Sequence, residues 1–284
     1  MANKTYTALI TPFKSDLNVD YNAVEKIVKN QASNGIDGLV LFGTTGESVT
    51  LNKDEKQQIT DFIVGLKSGL ELIIGIGGNH TAGVIEAIQQ TDFSPFTQIL
   101  SVCPYYNKPN QAGIIAHYQA IADAAPLPII LYNVPGRTGI NMTANTQLTL
   151  AEHPNICATK EASGNMEQIM NIIKNAPDGF KIYSGDDSLT FPMLTLGAHG
   201  VISVVSHAIP EDFSKMVKLA SSDPTMSREL HYKHLNTCID IFAEGSPGGI
   251  KTMLNEMELC HTFVRPPLHQ VSQSLEKHLR SLVH

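Results

Sequence analysis

Two hydrophobic periods alternate along the chain from near its start to about residue 220. Short apolar runs resemble parallel strands buried on both faces. Each is followed by a segment whose apolar residues recur three and four positions apart, the mark of a helix with one buried face. The runs predict strands at 6–10, 38–42, 72–76, 98–103, 128–133, 156–161, 181–184 and 200–204. Asp20 opens a helix with Val24, Ile27 and Val28 on one face, closed by Asn34-Gly35. Asn52 and Glu55 form a capping-box pattern before Ile59, Phe62, Ile63 and Leu66. Further helices are predicted at 80–91, around Ile114, Tyr118, Ile121 and Ala122, at 144–151, along Met166, Ile169, Met170 and Ile173, and from Pro210 through Phe213, Met216, Val217 and Ala220.

Eight strand–helix units in about 220 residues match the length of a (β/α)8 TIM barrel. A doubly wound sheet is the rival, and the unbroken run of eight units favours closure. After Ser222-Asp223-Pro224 the strand pattern stops. Three helices are expected there: near 226–242; after Pro247 with Ile250, Met253, Leu254 and Met257 inward; and after Pro266-Pro267 with Val271, Leu275 and Leu282 inward. The expected architecture is α/β, a (β/α)8 barrel over 1–223 and a helical part over 224–284.

Composition narrows the function classes. Of 284 residues 42% are hydrophobic and 17% charged, the balance of a globular protein. The net charge of −7 and the lack of a Lys/Arg cluster argue against nucleic acid or an anionic membrane as partner. No apolar run is long enough to span a bilayer and no leader-like apolar stretch precedes the first strand, so a cytoplasmic location is expected. Cys103, Cys157, Cys238 and Cys260 are widely spaced, as in a reducing compartment. His231 and His234 lie one helical turn apart without an HExxH pattern and are read as solvated rather than metal-binding. The stretch 75–80 begins like GxGxxG but has His80 where the last glycine belongs, so no dinucleotide fold is read there. Asp186-Asp187 reads as a helix cap, and Gly197-Ala198-His199-Gly200 lacks the basic residues of a phosphate site.

The unusual residues fall where strands end, which is where barrels carry their functional groups. Lys160 closes the apolar run 156–160, a poor place for a cation. A desolvated lysine loses its proton readily and becomes an amine nucleophile able to form a Schiff base with a ketone. Taken alone, a lysine that extends its ammonium to solvent at the strand end is the commoner case. Gly43-Thr44-Thr45-Gly46-Glu47 offers adjacent hydroxyls and close backbone N–H groups, suited to a carboxylate or a proton. Tyr132 ends another apolar run; a buried phenol needs a partner and can act as an acid or base. Tyr105-Tyr106 occupy a Pro-flanked loop, and the guanidinium fork of Arg137 suits a carboxylate.

In this order, Gly43-Thr44-Thr45-Gly46-Glu47, Tyr105-Tyr106-Asn107-Lys108-Pro109, the run 132–139 through Pro135-Gly136-Arg137-Thr138-Gly139, Lys160-Glu161-Ala162-Ser163-Gly164, Gly185-Asp186-Asp187 and the run 200–204 resemble the dihydrodipicolinate synthases. That family belongs to the class I aldolase superfamily that includes N-acetylneuraminate lyase, and the resemblance covers essentially the whole chain. It implies a carbon–oxygen lyase that condenses pyruvate with L-aspartate 4-semialdehyde to 4-hydroxy-tetrahydrodipicolinate, the committed step of lysine (diaminopimelate) biosynthesis. It implies that Lys160 forms the imine, that Thr44, Tyr132 and Tyr106 relay protons, and that Tyr106 comes from a neighbouring subunit. Thr45 would hold the pyruvate carboxylate, Arg137 that of the semialdehyde, and Gly185 and Ile202 would line the pocket. It further implies a homotetramer built as a dimer of dimers, and no metal or organic cofactor.

Thr44 in place of serine, and Arg137, favour the synthase over a related aldolase acting on a 2-keto-3-deoxy sugar acid or N-acetylneuraminate. A non-catalytic barrel binding a small acid is the remaining alternative, opposed by the presence of Lys160, Tyr132 and Thr44 together. Two departures from the family stand out. Around the feedback site for lysine the chain keeps Ser48 and Asn79 but has Lys53, Lys56 and Gly83, so weak or absent lysine inhibition is expected. Ser246-Pro247 replaces a common Asn-Pro.

Overall fold

A computed structural model describes residues 3–283. Its eight parallel strands are hydrogen-bonded in sequence order into a closed barrel. These are β1 Lys4–Ala8, β2 Gly38–Leu41, β3 Glu71–Gly75, β4 Gln98–Val102, β5 Ile129–Asn133, β6 Ile156–Glu161, β7 Lys181–Ser184 and β8 Gly200–Ser203. The helices are α1 Tyr21–Ser33, α2 Lys53–Gly65, α3 Thr81–Gln89, α4 Gln111–Ala124, α5 Pro135–Thr138, α6 Ala144–Ala151, α7 Met166–Asn175, α8 Thr190–Thr195, α9 Pro210–Leu219, α10 Pro224–Asp240, α11 Gly248–Glu256 and α12 Gln273–Arg280. The (β/α)8 expectation and the three helices after it are therefore met. Among the described residues no helix is long and apolar enough to cross a membrane.

Local chemistry sets the element boundaries. Side chains of Asp20, Asn110, Thr143, Asn165, Asp223 and Ser272 accept N–H groups at the starts of α1, α4, α6, α7, α10 and α12. Asn52 and Glu55 form a reciprocal capping box on α2. The first strand lies two residues earlier than its apolar run suggested, because Thr5 and Thr7 are fully buried despite their hydroxyls. Thr7 Oγ1 is satisfied by Gln31 at 2.7 Å and Ser206 at 2.8 Å.

Two compact units emerge from the packing. One is centred on Glu71–Ile202; the other joins Lys4–Leu70 to Ser203–His284, so the C-terminal helices cluster with α1, α2 and α9. In the first unit, β5 is buried at all five residues and pairs with β4 and β6. In the second, Ile10 N–H donates to the fully buried His207 Nε2 at 3.1 Å, tying the chain after β1 to the turn after β8.

Two expectations about individual residues need correction. His231 is 6% exposed rather than solvated, because α10 turns that face inward, and His234 Nε2 pairs with Asp212 Oδ2 at 2.7 Å. In α12 the buried residue is Leu279, whereas Val271 and Leu282 lie outside the helix. The Ser246-Pro247 and Pro266-Pro267 peptide bonds are cis.

Candidate active site

Strand periodicity explains which side chains meet. β5 and β6 pair with Tyr132 opposite Lys160 and Asn133 opposite Glu161. Successive residues point to opposite faces, so the tyrosine and the lysine share one face and the amide and the carboxylate share the other. On the first face the Lys160 ammonium nitrogen lies 4.4 Å from the centroid of the Tyr132 ring. Lys160 is only 5% exposed. Burial pulls its pKa down to about 8; the Arg137 guanidinium adds to the effect, while Asp187 and Asp186 oppose it. A large share of the amine is thus neutral near pH 8, as a carbonyl nucleophile requires.

Gly185 follows β7 and accommodates the lysine stem. A Cβ there would meet Ala162 Cβ at 2.7 Å and Lys160 Cε at 3.0 Å, so any other residue would displace the nucleophile. Ile202 is buried in β8. Burial pushes the Tyr132 hydroxyl up to about 12, with Arg137 opposing and Asp186 assisting. The group therefore stays a neutral phenol that can both donate and accept a proton.

Arg137 sits exposed on α5, which Gly139 closes in the left-handed region at φ 73°. The neighbouring loop packs on this turn: a Cβ on Gly139 would lie 3.2 Å from Lys108 Cε. Tyr106 is 87% exposed, and its backbone takes a positive φ of 71°. Asn79 Nδ2 donates to Tyr105 O at 3.1 Å, and Asn107 Nδ2 to Asn79 O at 2.9 Å, which fixes the base of that loop.

Thr44 and Thr45 belong to the other unit, on a single 3-10 turn Thr44–Gly46 at the end of β2. Thr44 is exposed and Thr45 is 8% exposed.

Sequence reasoning missed two features. Asp186 does not cap the following turn with its side chain; its charge and that of Asp187 act on Lys160. Behind the lysine, the fully buried Glu161 accepts from Asn133 Nδ2 at 3.1 Å, Gln147 Nε2 at 2.6 Å and Ser163 N at 2.9 Å. A charged residue directly after the buried lysine was the available sign.

A family model described as the dihydrodipicolinate synthetase family matches residues 1–284. The chain belongs to that family. It is 50% identical to a 4-hydroxy-tetrahydrodipicolinate synthase of Parabacteroides distasonis over 264 residues, covering 92% of this chain and 89% of the relative. It superposes on the dihydrodipicolinate synthase of Acinetobacter baumannii, solved with pyruvate, at a TM-score of 0.95 and 35% identity, covering 99% and 98% of the two chains. The enzyme of Cyanidioschyzon merolae, solved with lysine bound, gives 0.93 and 40%, covering 99% and 96%.

Proposed function

We propose that this family member is a 4-hydroxy-tetrahydrodipicolinate synthase with Lys160 as its Schiff-base nucleophile. The observation that carries the reading is the buried lysine lying over the Tyr132 ring beside a glycine that cannot be enlarged. The neutral Lys160 amine attacks the keto carbon of pyruvate and water leaves, giving an imine. The imine carbon withdraws electrons, so the adjacent methyl group loses a proton and an enamine forms. The enamine carbon bonds to the aldehyde carbon of aspartate semialdehyde, whose oxygen takes a proton. The semialdehyde's amine then attacks the imine carbon, closes the ring and releases Lys160. Tyr132 shuttles the protons with Thr44 and Tyr106, Thr45 holds the pyruvate carboxylate, and Arg137 meets the carboxylate of the semialdehyde. Gly185 and Ile202 line the pyruvate side.

The test is a coupled assay with pyruvate and aspartate semialdehyde beside Lys160→Ala, with borohydride trapping read by mass spectrometry. Turnover and a pyruvate adduct, both lost in the variant, support the reading. An adduct without turnover moves the second substrate to a sugar acid or N-acetylneuraminate, and absence of both leaves a binding barrel.

The exposure of Tyr106 supports assembly into at least a dimer, as a tetramer built from two dimers, in which this ring completes a neighbour's site. The four free cysteines support a cytoplasmic setting. Feedback by lysine is weak or absent. Position 83 has no carboxylate for the ligand's ammonium, and a Cβ there would meet His80 Nδ1 at 3.0 Å. Millimolar L-lysine is expected to leave more than half the rate, and inhibition beyond that refutes this point.

A further inference from the structure

Glu47, the last residue of the Gly43-Thr44-Thr45-Gly46-Glu47 motif, has no part in the chemistry above, yet it is among the most constrained residues of its unit. Its side chain is fully buried and pairs with Lys251 of α11, also fully buried, at 2.6 Å. Its other oxygen accepts the Arg265 backbone N–H at 2.9 Å. Lys251 Nζ also donates to Phe263 O at 2.8 Å and lies 4.4 Å from the centroid of the buried Phe13 ring. The Arg265 guanidinium covers the same ring at 4.5 Å and donates to Thr50 O at 2.7 Å.

The backbone of Glu47 is equally committed. It sits in the left-handed region at φ 52° and ψ 35°, an unfavourable choice for a residue with a Cβ. Its N–H donates to Thr44 O at 3.1 Å and its carbonyl accepts from Thr50 N at 2.9 Å. On the other side, Thr11 Oγ1 donates to Gly46 O at 2.7 Å, and a Cβ on Gly46 would meet Leu9 O at 2.8 Å. The turn bearing Thr44 and Thr45 is thus clamped between the chain after β1 and the C-terminal segment 251–265.

A buried ion pair is a weak source of stability, because desolvating both charges offsets their attraction. Its hydrogen bonds are directional, and two of them, from Lys251 Nζ and from the Arg265 N–H, converge on the Glu47 side chain of one strained turn. We propose that the Glu47–Lys251 pair, together with the Arg265 N–H, positions the Thr44–Thr45 turn for catalysis, so that the C-terminal helices set the geometry of the proton relay. This rests on the roles assigned above to the two threonines.

The test uses the full chain and the double variant Glu47→Gln/Lys251→Met. It removes both charges and keeps an acceptor for the Arg265 N–H. Removing both members of a buried pair is close to neutral for stability, whereas Lys251→Met alone strands a carboxylate. The double variant is expected to unfold near the wild-type temperature while kcat falls about tenfold or more and KM for pyruvate rises, the effect of a displaced turn. A purely structural pair would leave both constants at wild-type values in the folded double variant, and that result overturns the proposal. Should the double variant not fold, Glu47→Gln alone keeps the side-chain length, and the same criterion applies. Thr44→Val and Thr45→Ala serve as controls. If they leave kcat and KM unchanged, the threonine roles fail and the proposal falls with them. If they lower activity while the folded charge variants do not, the positioning proposal alone is overturned.

Discussion

At the scale of single residues the site is governed by one desolvated amine. The pKa of Lys160 is lowered to about 8, so its imine-forming rate should climb with pH and level off above that value. Asp187 opposes the shift and Arg137 reinforces it. Asp187→Asn should therefore move the acid limb of kcat/KM for pyruvate to lower pH, and Arg137→Ala should move it to higher pH. A limb that stays put in both variants would refute this account of the field around the amine. The same burial has a stability cost. Between about 8 and the unfolded value of 10.5 the unfolded chain binds the extra proton, so the lysine penalises folding at pH 7 by about 3 kcal/mol. Lys160→Met should abolish turnover and raise the unfolding midpoint, measured by calorimetry; a lower midpoint contradicts it. This residue was legible in the sequence because a cation ended an apolar run. The influence of Asp186 and Asp187 was not, because it arises from three-dimensional proximity that no spacing encodes.

Among the elements, the strand pair β5–β6 carries the most consequence. The inner face holds Tyr132 and Lys160, and the outer face holds Asn133 and Glu161. Glu161 has amide and backbone donors around it: Asn133, Gln147 and Ser163. Asn133 also accepts from Met142 N at 2.9 Å, and Gln147 Nε2 donates to Met142 O at 3.0 Å, so the segment following the Arg137 turn hangs on this network. Glu161→Ala should cost on the order of 3 kcal/mol, because it strands the Ser163 N–H and removes bonds to a charged acceptor. Urea unfolding with an unchanged m-value would measure it, and a loss within error of zero would contradict it. The predicted spans of β6, β7 and α6 match the observed ones, since their apolar runs end in abrupt polar or turn residues. α12 was read less well. Only Leu279 is fully buried there, and one apolar anchor leaves no periodicity to detect. The 3-10 turns after β2 were likewise invisible, being fixed by Glu47 and its distant partners Lys251 and Arg265.

For the molecule as a whole, buried ionisable groups should dictate the response to acid. His207 is fully buried and accepts from Ile10 N–H, and burial lowers its pKa to about 4; its bond to Val204 O opposes the shift only partly. His117 is 5% exposed and is likewise lowered to about 4 by burial, with Nδ1 against Thr81 Oγ1 at 2.9 Å. His199 and His231 are lowered too, chiefly by burial. In each case the unfolded chain takes up a proton near 6.5 that the folded chain resists, so stability falls as pH drops below about 6.5, and for His207 and His117 it goes on falling toward about 4. The fully buried His207 alone accounts for about 3 kcal/mol over that window. The carboxylates add to the loss only at lower pH: Glu55 is held down by Arg265, and Asp212, despite desolvation, by Lys233 and His234. Acid unfolding should therefore begin well above the carboxylate range. Replacing His207 by Gln keeps an acceptor for the Ile10 N–H and removes the proton site. In thermal unfolding measured from pH 7 to pH 4, that variant should lose less stability than the wild type, whatever its midpoint at pH 7. Parallel curves for the two proteins would show that burial of this imidazole does not drive the acid response.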